Sequence, residues 1–500
     1  MSAPLRTNTV EDMATEDVLT SPEAGGRVIR GSVMRVAGNA AGILAGLGAA
    51  AILLRYLGVA ESGRYITVMS LVTIAGTIAD AGLNVTGSRE LTLREPGQRA
   101  TLIADFIGLR LLITPFALAL IVGFALLAGY PSRMVIGTAL AGTGLFISSI
   151  VDAVLLSMAV ELRQAGLALI DFLRQAITLI GVALLVIIGT RLTPFFAIQI
   201  VVGLIVVAIA PVLAGPGAFV RPRFDRDAQR ALLSRSLPAA VAIVLGQLYF
   251  RLVIVLMSLI SGPLQTGYFG GSLRAMETLI GVPILIAGVA LPLLSAAARD
   301  DHARLRYAIE GLGKGAVIAG VLVVLVTVRA AEPVMTIIGG PHFRPSGAVL
   351  RIQVGALLFV ALYQIWTVSL IALGRQRELI LTNGLALASV AIFAVVLVPT
   401  FGAEGGAAAS VLGDAVLACL VYWRLRSAVG GVMVSIGFLA RVAIAAAAGS
   451  AVLLLPGLPD LVVAALAGAL FLIVGQLIGM LPPELRDALG RRRLLRRGAA

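Results

Sequence analysis

Apolar runs long enough to cross a lipid bilayer follow one another along almost the whole of this chain. A hydrocarbon core takes roughly 20 apolar residues of helix. On that scale the sequence predicts membrane helices at 33–54, 64–86, 101–128, 134–158, 165–188, 193–214, 237–261, 265–298, 308–328, 346–372, 378–400, 404–425, 438–456 and 460–480. Strand-like alternation is absent, which argues against a β-barrel. Hydrophobic residues make up 59% of the chain and charged residues 13%, too few to coat a water-soluble fold. The expected fold class is an all-α polytopic membrane protein of about 14 transmembrane helices. Cys419 is the single cysteine, so no disulfide framework exists, and His302 and His342 are too few for a zinc site.

The net charge is +13, and every basic residue except Lys314 is arginine. In a soluble protein such an excess suggests nucleic acid; between membrane spans it marks the cytoplasmic face. With the N-terminus placed inside, the inner segments hold 25 arginines and the outer segments 6. Both termini are therefore expected in the cytoplasm, with the protein multi-pass in the inner or plasma membrane and no nucleic-acid partner. The polar, mixed-charge segment 1–32 reads as a cytoplasmic tail rather than a signal peptide. The basic run from Arg491 to Arg497 pins the last helix and could also lie on anionic lipid.

The loops argue against an enzyme. The longest outer one, Arg329–Ser346, carries one Glu and one His, and the basic inner loop near Ala214–Ser236 has no Gly-rich phosphate cradle. Transport remains, with its working groups buried among helices.

The chain also repeats itself. Gly58 and Gly262, Ser62 and Thr266, and Gly63 and Gly267 share an offset of 204. The spans around them keep step, giving an N-terminal six-helix half at 33–214 and a C-terminal half at 237–425. A basic linker at 215–236 joins them, an extra helix pair occupies 438–480, and a basic tail occupies 481–500. Two pseudo-symmetric halves around a central site are common among secondary transporters.

Leu57-Gly58, Gly63-Arg64-Tyr65, Asp80-Ala81-Gly82-Leu83 and Arg89-Glu90-Leu91 resemble the opening of the oligosaccharide flippases. These are the polysaccharide-biosynthesis transporters of the multidrug/oligosaccharidyl-lipid/polysaccharide (MOP) superfamily. Thr266-Gly267-Tyr268, Pro292-Leu293-Leu294-Ser295, Ala372-Leu373-Gly374-Arg375 and Phe401-Gly402-Ala403-Glu404-Gly405-Gly406-Ala407 resemble it in order and spacing. The resemblance spans residues 30–425. It implies a non-enzymatic flippase working by alternating access on a polyprenyl-diphosphate-linked glycan. Its partners would be membrane lipids and the glycosyltransferases and polymerase of the same pathway. No cofactor is implied beyond coupling to membrane potential or an ion gradient. One departure stands out: the family often has an acid midway along helix seven, where this chain has Phe250-Arg251.

Charges inside spans are functional candidates, because each costs about 2.5–3.5 kcal/mol at the bilayer centre. Asp171 with Arg174, and Glu310 with Lys314, have the spacing to neutralise each other on one helix face. Arg110 has Asp105 or Asp171 as candidate partners. Arg35, Arg251 and Arg274 are candidates for holding a diphosphate, whose oxygens suit the guanidinium fork; inter-helix ion pairs are the alternative. Glu277, Asp152 and Asp414 are candidate cavity or coupling charges, whereas Asp80 reads as a helix-end residue. Gly281 and Pro283 mark an expected break and hinge in the long eighth helix. Three other readings remain open: a peptidoglycan-precursor flippase, a drug/cation antiporter, and a non-transporting scaffold for glycan synthesis.

Overall fold

The computed structural model describes residues 22–160, 164–214, 220–300, 302–430 and 435–480. No strand occurs among them, and eleven helices are long and apolar enough to cross a membrane. The protein is an all-α, multi-pass membrane protein. Its helices are α1 (Pro22–Asp80), α2 (Leu83–Leu93), α3 (Pro96–Leu127), α4 (Ser132–Val160), α5 (Gln164–Ile188), α6 (Leu192–Ala214) and α7 (Arg226–Ile260), followed by α8 (Gly262–Asp300), α9 (His302–Gly339), α10 (Ser346–Gln353), α11 (Ala356–Ala372), α12 (Arg377–Val429), α13 (Ile436–Val452) and α14 (Asp460–Leu477).

Two of these helices are each a joined pair. Gly58 (φ 70°, ψ −179°) interrupts α1 and Gly402 (φ 54°, ψ −127°) interrupts α12. Only glycine occupies such backbone conformations without strain. The sequence predicts a connection between the spans 33–54 and 64–86, but helix resumes directly after Gly58. The apolar helix α13, of 17 residues, packs against α14.

The later part of α1 crosses the start of α8 at two glycines. A Cβ on Gly63 would meet the carbonyl oxygen of Pro263, and a Cβ on Gly267 would meet that of Val59. Val59 and Pro263 are themselves 204 residues apart, so the contact is reciprocal. Gly58 and Gly262 share a left-handed φ, 70° and 75°. Ser62 and Thr266 are both fully buried beside the crossing.

At the end that the arginine bias assigns to the cytoplasm, α7 is tied to the preceding helices. Gly82 approaches the backbone of Ser236 and Ala240, and Arg235 pairs with Glu90 at 2.9 Å. The strand-like approach to α7 lies along α3: the Arg223 amide donates to the Ala104 carbonyl at 3.0 Å, and Gly108 leaves room for the Arg223 carbonyl. Asp225 caps α7 by accepting from the Asp227 and Ala228 amides. Those amides, the Ala228 bond foremost, hold its carboxyl below the usual carboxylate range.

The eighth helix differs from expectation. The sequence predicts a break near Gly281 and Pro283, yet α8 is helical from Gly262 to Asp300 with Pro283 and Pro292 inside it. Gly267, Gly270 and Gly271 lie close against neighbouring residues at its start, while no atom lies near enough to touch a Cβ on Gly281 or Gly288. Val282, Leu285, Val289 and Leu293 are exposed, as lipid-facing side chains are.

Candidate functional site

A cavity of about 820 Å³ opens between α1, α4, α5, α6 and α8. One wall is α1, whose Gly38, Gly42 and Gly46 bring it close to α5. Across from it stands the middle of α8. Five charged residues line the space: Asp152, Asp171, Arg174, Arg274 and Glu277. Tyr65, Gln175 and Gln199 add polar atoms, and the rest of the wall is largely aliphatic.

The wall charges are organised across helices rather than along them. The i, i+3 spacing predicts an Asp171–Arg174 pair, but Arg174 reaches over to Asp152 of α4 at 2.8 Å. Asp152 is also approached by Arg110 of α3 at 3.5 Å. Arg110 turns its other nitrogen to Asp80 at 2.7 Å and to the Asn84 side-chain oxygen at 2.9 Å. Its partners are thus Asp80 and Asp152, not Asp105 or Asp171; Asp105 faces Arg223 at 3.9 Å. Asp80 ends α1, as its Asp-x-Gly context predicts, and also anchors this chain of charges. A smaller space of about 410 Å³ reaches Asp80, Arg110 and Asp152 from the other side.

On α8 a second cluster forms. Glu277 accepts from Arg274, one turn earlier, at 3.0 Å and forms an ion pair with Arg251 of α7 at 3.0 Å. Arg274 and Glu277 line the cavity, whereas Arg251 stands behind Glu277. Arg35 falls in α1, but its side chain lies outside the described residues.

Asp414 sits apart, buried between α12 and α7, where the Tyr249 hydroxyl donates to it at 2.8 Å. Gln353 borders the same small space, is 2% exposed, and has neither its amide oxygen nor its nitrogen paired.

An apolar groove of about 870 Å³ runs along the outside of α8 and α9 toward α13 and α14. Leu279, Val282, Pro283 and Ile286 of α8 form one side of it, and Phe438 and Met480 belong to its lining. Glu310 and Lys314, paired at 2.8 Å as their spacing predicts, supply its charge together with Arg441. Gly281 faces the cavity and Pro283 the groove, so one short stretch of α8 separates the two spaces.

Sequence reasoning missed Arg174, Arg110 and Tyr249 as members of these clusters. Arg110 carries a visible signal, an arginine deep in an apolar run. Nothing in its neighbourhood along the chain identifies its partners, which lie 30 and 42 residues away.

A bundle of membrane helices around a central, charge-lined cavity is an architecture common among secondary transporters. No protein-family model and no curated protein sequence matches the chain. Solved structures do match it in fold. A lipid II flippase MurJ in an inward closed conformation superposes with a TM-score of 0.73 at 13% identity, covering 91% of this chain and 100% of that one. An inward-facing multidrug resistance MATE family transporter of the MOP superfamily gives 0.63 at 16% identity, covering 77% of this chain and 94% of that one. A MOP superfamily transporter from Pyrococcus furiosus, described as having a binding pocket of reverse polarity, gives 0.55 at 15% identity over 81% and 95% of the two chains. The chain has the fold of these MOP superfamily transporters.

Proposed function

We propose that the protein flips a polyprenyl-diphosphate-linked oligosaccharide across the membrane by alternating access. The observation that carries this reading is the adjacency of the two spaces. A polar head in the charged cavity and an apolar tail in the groove would be separated only by the Glu277–Pro283 stretch of α8. That stretch has open space around Gly281 and a proline that withholds one backbone donor, which suits a moving wall.

The reciprocal packing of Gly63 with Pro263 and Gly267 with Val59 supports two halves, 33–214 and 237–425, related by a pseudo-two-fold axis. Rocking about such a crossing would expose the cavity alternately to the two sides. The pair at 438–480 would then be an addition that builds the groove. The arginine bias supports cytoplasmic termini and an inner or plasma membrane location.

Arg274 is the reading's first substrate contact, with Arg251 holding Glu277 behind it and Arg35 as a further candidate. Vesicles containing the protein are expected to translocate a lipid-linked oligosaccharide, and Arg274→Ala to slow this about tenfold or more through loss of a charge-assisted contact. Arg251→Ala is expected to slow it less. Wild-type rates in both variants would sink the anion-site claim. A lipid-linked peptidoglycan precursor offered in the same assay separates the closer rival, since only the glycan differs.

A cation antiporter is the weaker reading. Two of the cavity carboxylates, Asp152 and Glu277, are each already held by two arginines. Asp414, buried beside Tyr249, is the best-placed coupling carboxylate. Asp414→Asn is expected to flatten the dependence of transport on an imposed proton gradient. A gradient response identical to wild type would remove it from that role.

A further inference from the structure

The apolar groove outside α8 and α9 carries charge at one end only. Along α9 it is lined by Ala308, Gly311, Gly315 and Ala319, which follow at helical spacing and present nothing larger than a methyl group. Open space surrounds the Cβ positions of Gly311 and Gly315. Val282 and Ile286 of α8 flank this bare strip and are 57% and 45% exposed. At about 870 Å³ the groove falls within the roughly 300–1,000 Å³ of ordinary ligand pockets.

The charged end is built from the early turns of α9 and α13 and from Gly479, just past α14. The arginine bias assigns that end to the inner leaflet. Glu310 and Lys314 neutralise each other there at 2.8 Å. Arg441 donates one nitrogen, Nη1, to the Gly479 carbonyl at 3.0 Å, a partner without net charge. Among the described residues that line the groove, two cations thus face one anion.

We propose that this groove binds a diacyl phospholipid of single negative charge from the inner leaflet. Its phosphate lies between Arg441 and Lys314, and its chains lie along the bare strip of α9. The site goes beyond the flippase reading: a cargo tail entering the groove has to displace the phospholipid, which makes membrane composition a regulator of transport.

Three physical points support it. First, the surplus charge selects the headgroup. A phosphodiester without an amine cancels it, whereas a zwitterionic headgroup brings its own cation and leaves it standing. Second, the donors suit phosphate oxygens. The Arg441 fork has nitrogens beyond the one spent on Gly479, and the Lys314 ammonium has N–H groups beyond the one facing Glu310. Ser435, the N-cap of α13, borders the groove as well, so the positive end of that helix lies at the same end. Third, a strip of bare helix between longer side chains leaves dispersion contacts unmade unless a chain fills it. A cargo tail would fill the strip without using the charge, since its diphosphate belongs to the cavity on the other side of α8.

Lys314 is the single lysine of the chain, which makes occupancy readable. Full-length protein in nanodiscs of phosphatidylcholine, with or without phosphatidylglycerol, is treated with an amine-acylating reagent, and modification of Lys314 is followed by mass spectrometry. Phosphatidylglycerol is expected to slow acylation several-fold. Arg441→Gln should raise the phosphatidylglycerol content needed for protection about tenfold, through loss of one charge-assisted contact. Gly315→Leu puts a side chain into the strip, where open space admits it, and should abolish protection with every charge in place. Melting temperatures are measured alongside, and if Arg441→Gln melts early, Gly315→Leu decides. Equal protection in wild type and Gly315→Leu overturns the site, because general attraction of anionic lipid to a basic face needs no groove. Protection by farnesol with none by phosphatidylglycerol also overturns it and gives the groove to a prenyl tail alone. Failure of the wild-type protein to move a lipid-linked oligosaccharide would remove the flippase reading and leave this site standing, since protection needs no cargo.

Discussion

Arg110→Ala is expected to be among the most destabilising single substitutions in the protein. The arginine is 4% exposed and holds Asp80 at 2.7 Å and Asp152 at 3.5 Å, so its removal leaves carboxylates facing each other across an apolar interior. Breaking a buried pair by deleting one partner costs about 3–5 kcal/mol. Asp152 faces a cavity and is 30% exposed, so solvent screens part of its share and the lower end of that range applies. Thermal unfolding in detergent should show a fall of many degrees. Arg110→Lys should recover only part of it, because one ammonium cannot span both acids and Asn84 as the fork does. A wild-type melting temperature for Arg110→Ala would show that the three helices α1, α3 and α4 are not joined through this residue.

Gly63→Leu should act on the crossing of α1 with α8. Even a Cβ there would meet the Pro263 carbonyl oxygen and come within 2.8 Å of the Gly267 nitrogen. Backbone cannot rotate away as a side chain can, so the two helices must separate. Overpacking of this kind costs about 1–3 kcal/mol and more when backbone has to shift. The variant should melt early and lose transport, since the end of the bundle beyond the crossing can no longer close. Gly246→Ala provides the control. It also lies within a membrane helix, but open space surrounds its Cβ position, and alanine is the better helix former. Equal melting temperatures for the two variants would refute the close crossing.

Both positions show how unevenly the sequence reveals the site. Gly63 and Gly267 are visible as a repeat at an offset of 204, but only the fold places them against each other. Arg251, Arg274 and Glu277 are identifiable because one helix turn and one short hairpin bring them together, so their clustering is nearly local. Arg174 misleads for the same reason: a carboxylate three residues away offers a sufficient local partner, while the observed one is 22 residues distant on α4. The long eighth helix misleads in another way. Its prolines and glycines predict a break, but a helix flanked by lipid and cavity can carry a proline without interruption, as α3, α6 and α7 also do.

What the sequence determined by itself is everything that depends on transfer from water to lipid. Apolar runs of bilayer length dictate helices, because only internally bonded backbone survives in hydrocarbon. Arginine placement in the loops points to the inner face through the same preference for charge in water. Those energies are additive along the chain and need no knowledge of neighbours. The partners of Arg110 and Arg174 were decided by tertiary structure alone. In hydrocarbon an ion must find a counter-ion, but any acid within reach of a long arginine side chain will satisfy it. For Arg110 and Arg174 that choice depends on how α1, α3, α4 and α5 lie side by side, and no spacing along the chain records it.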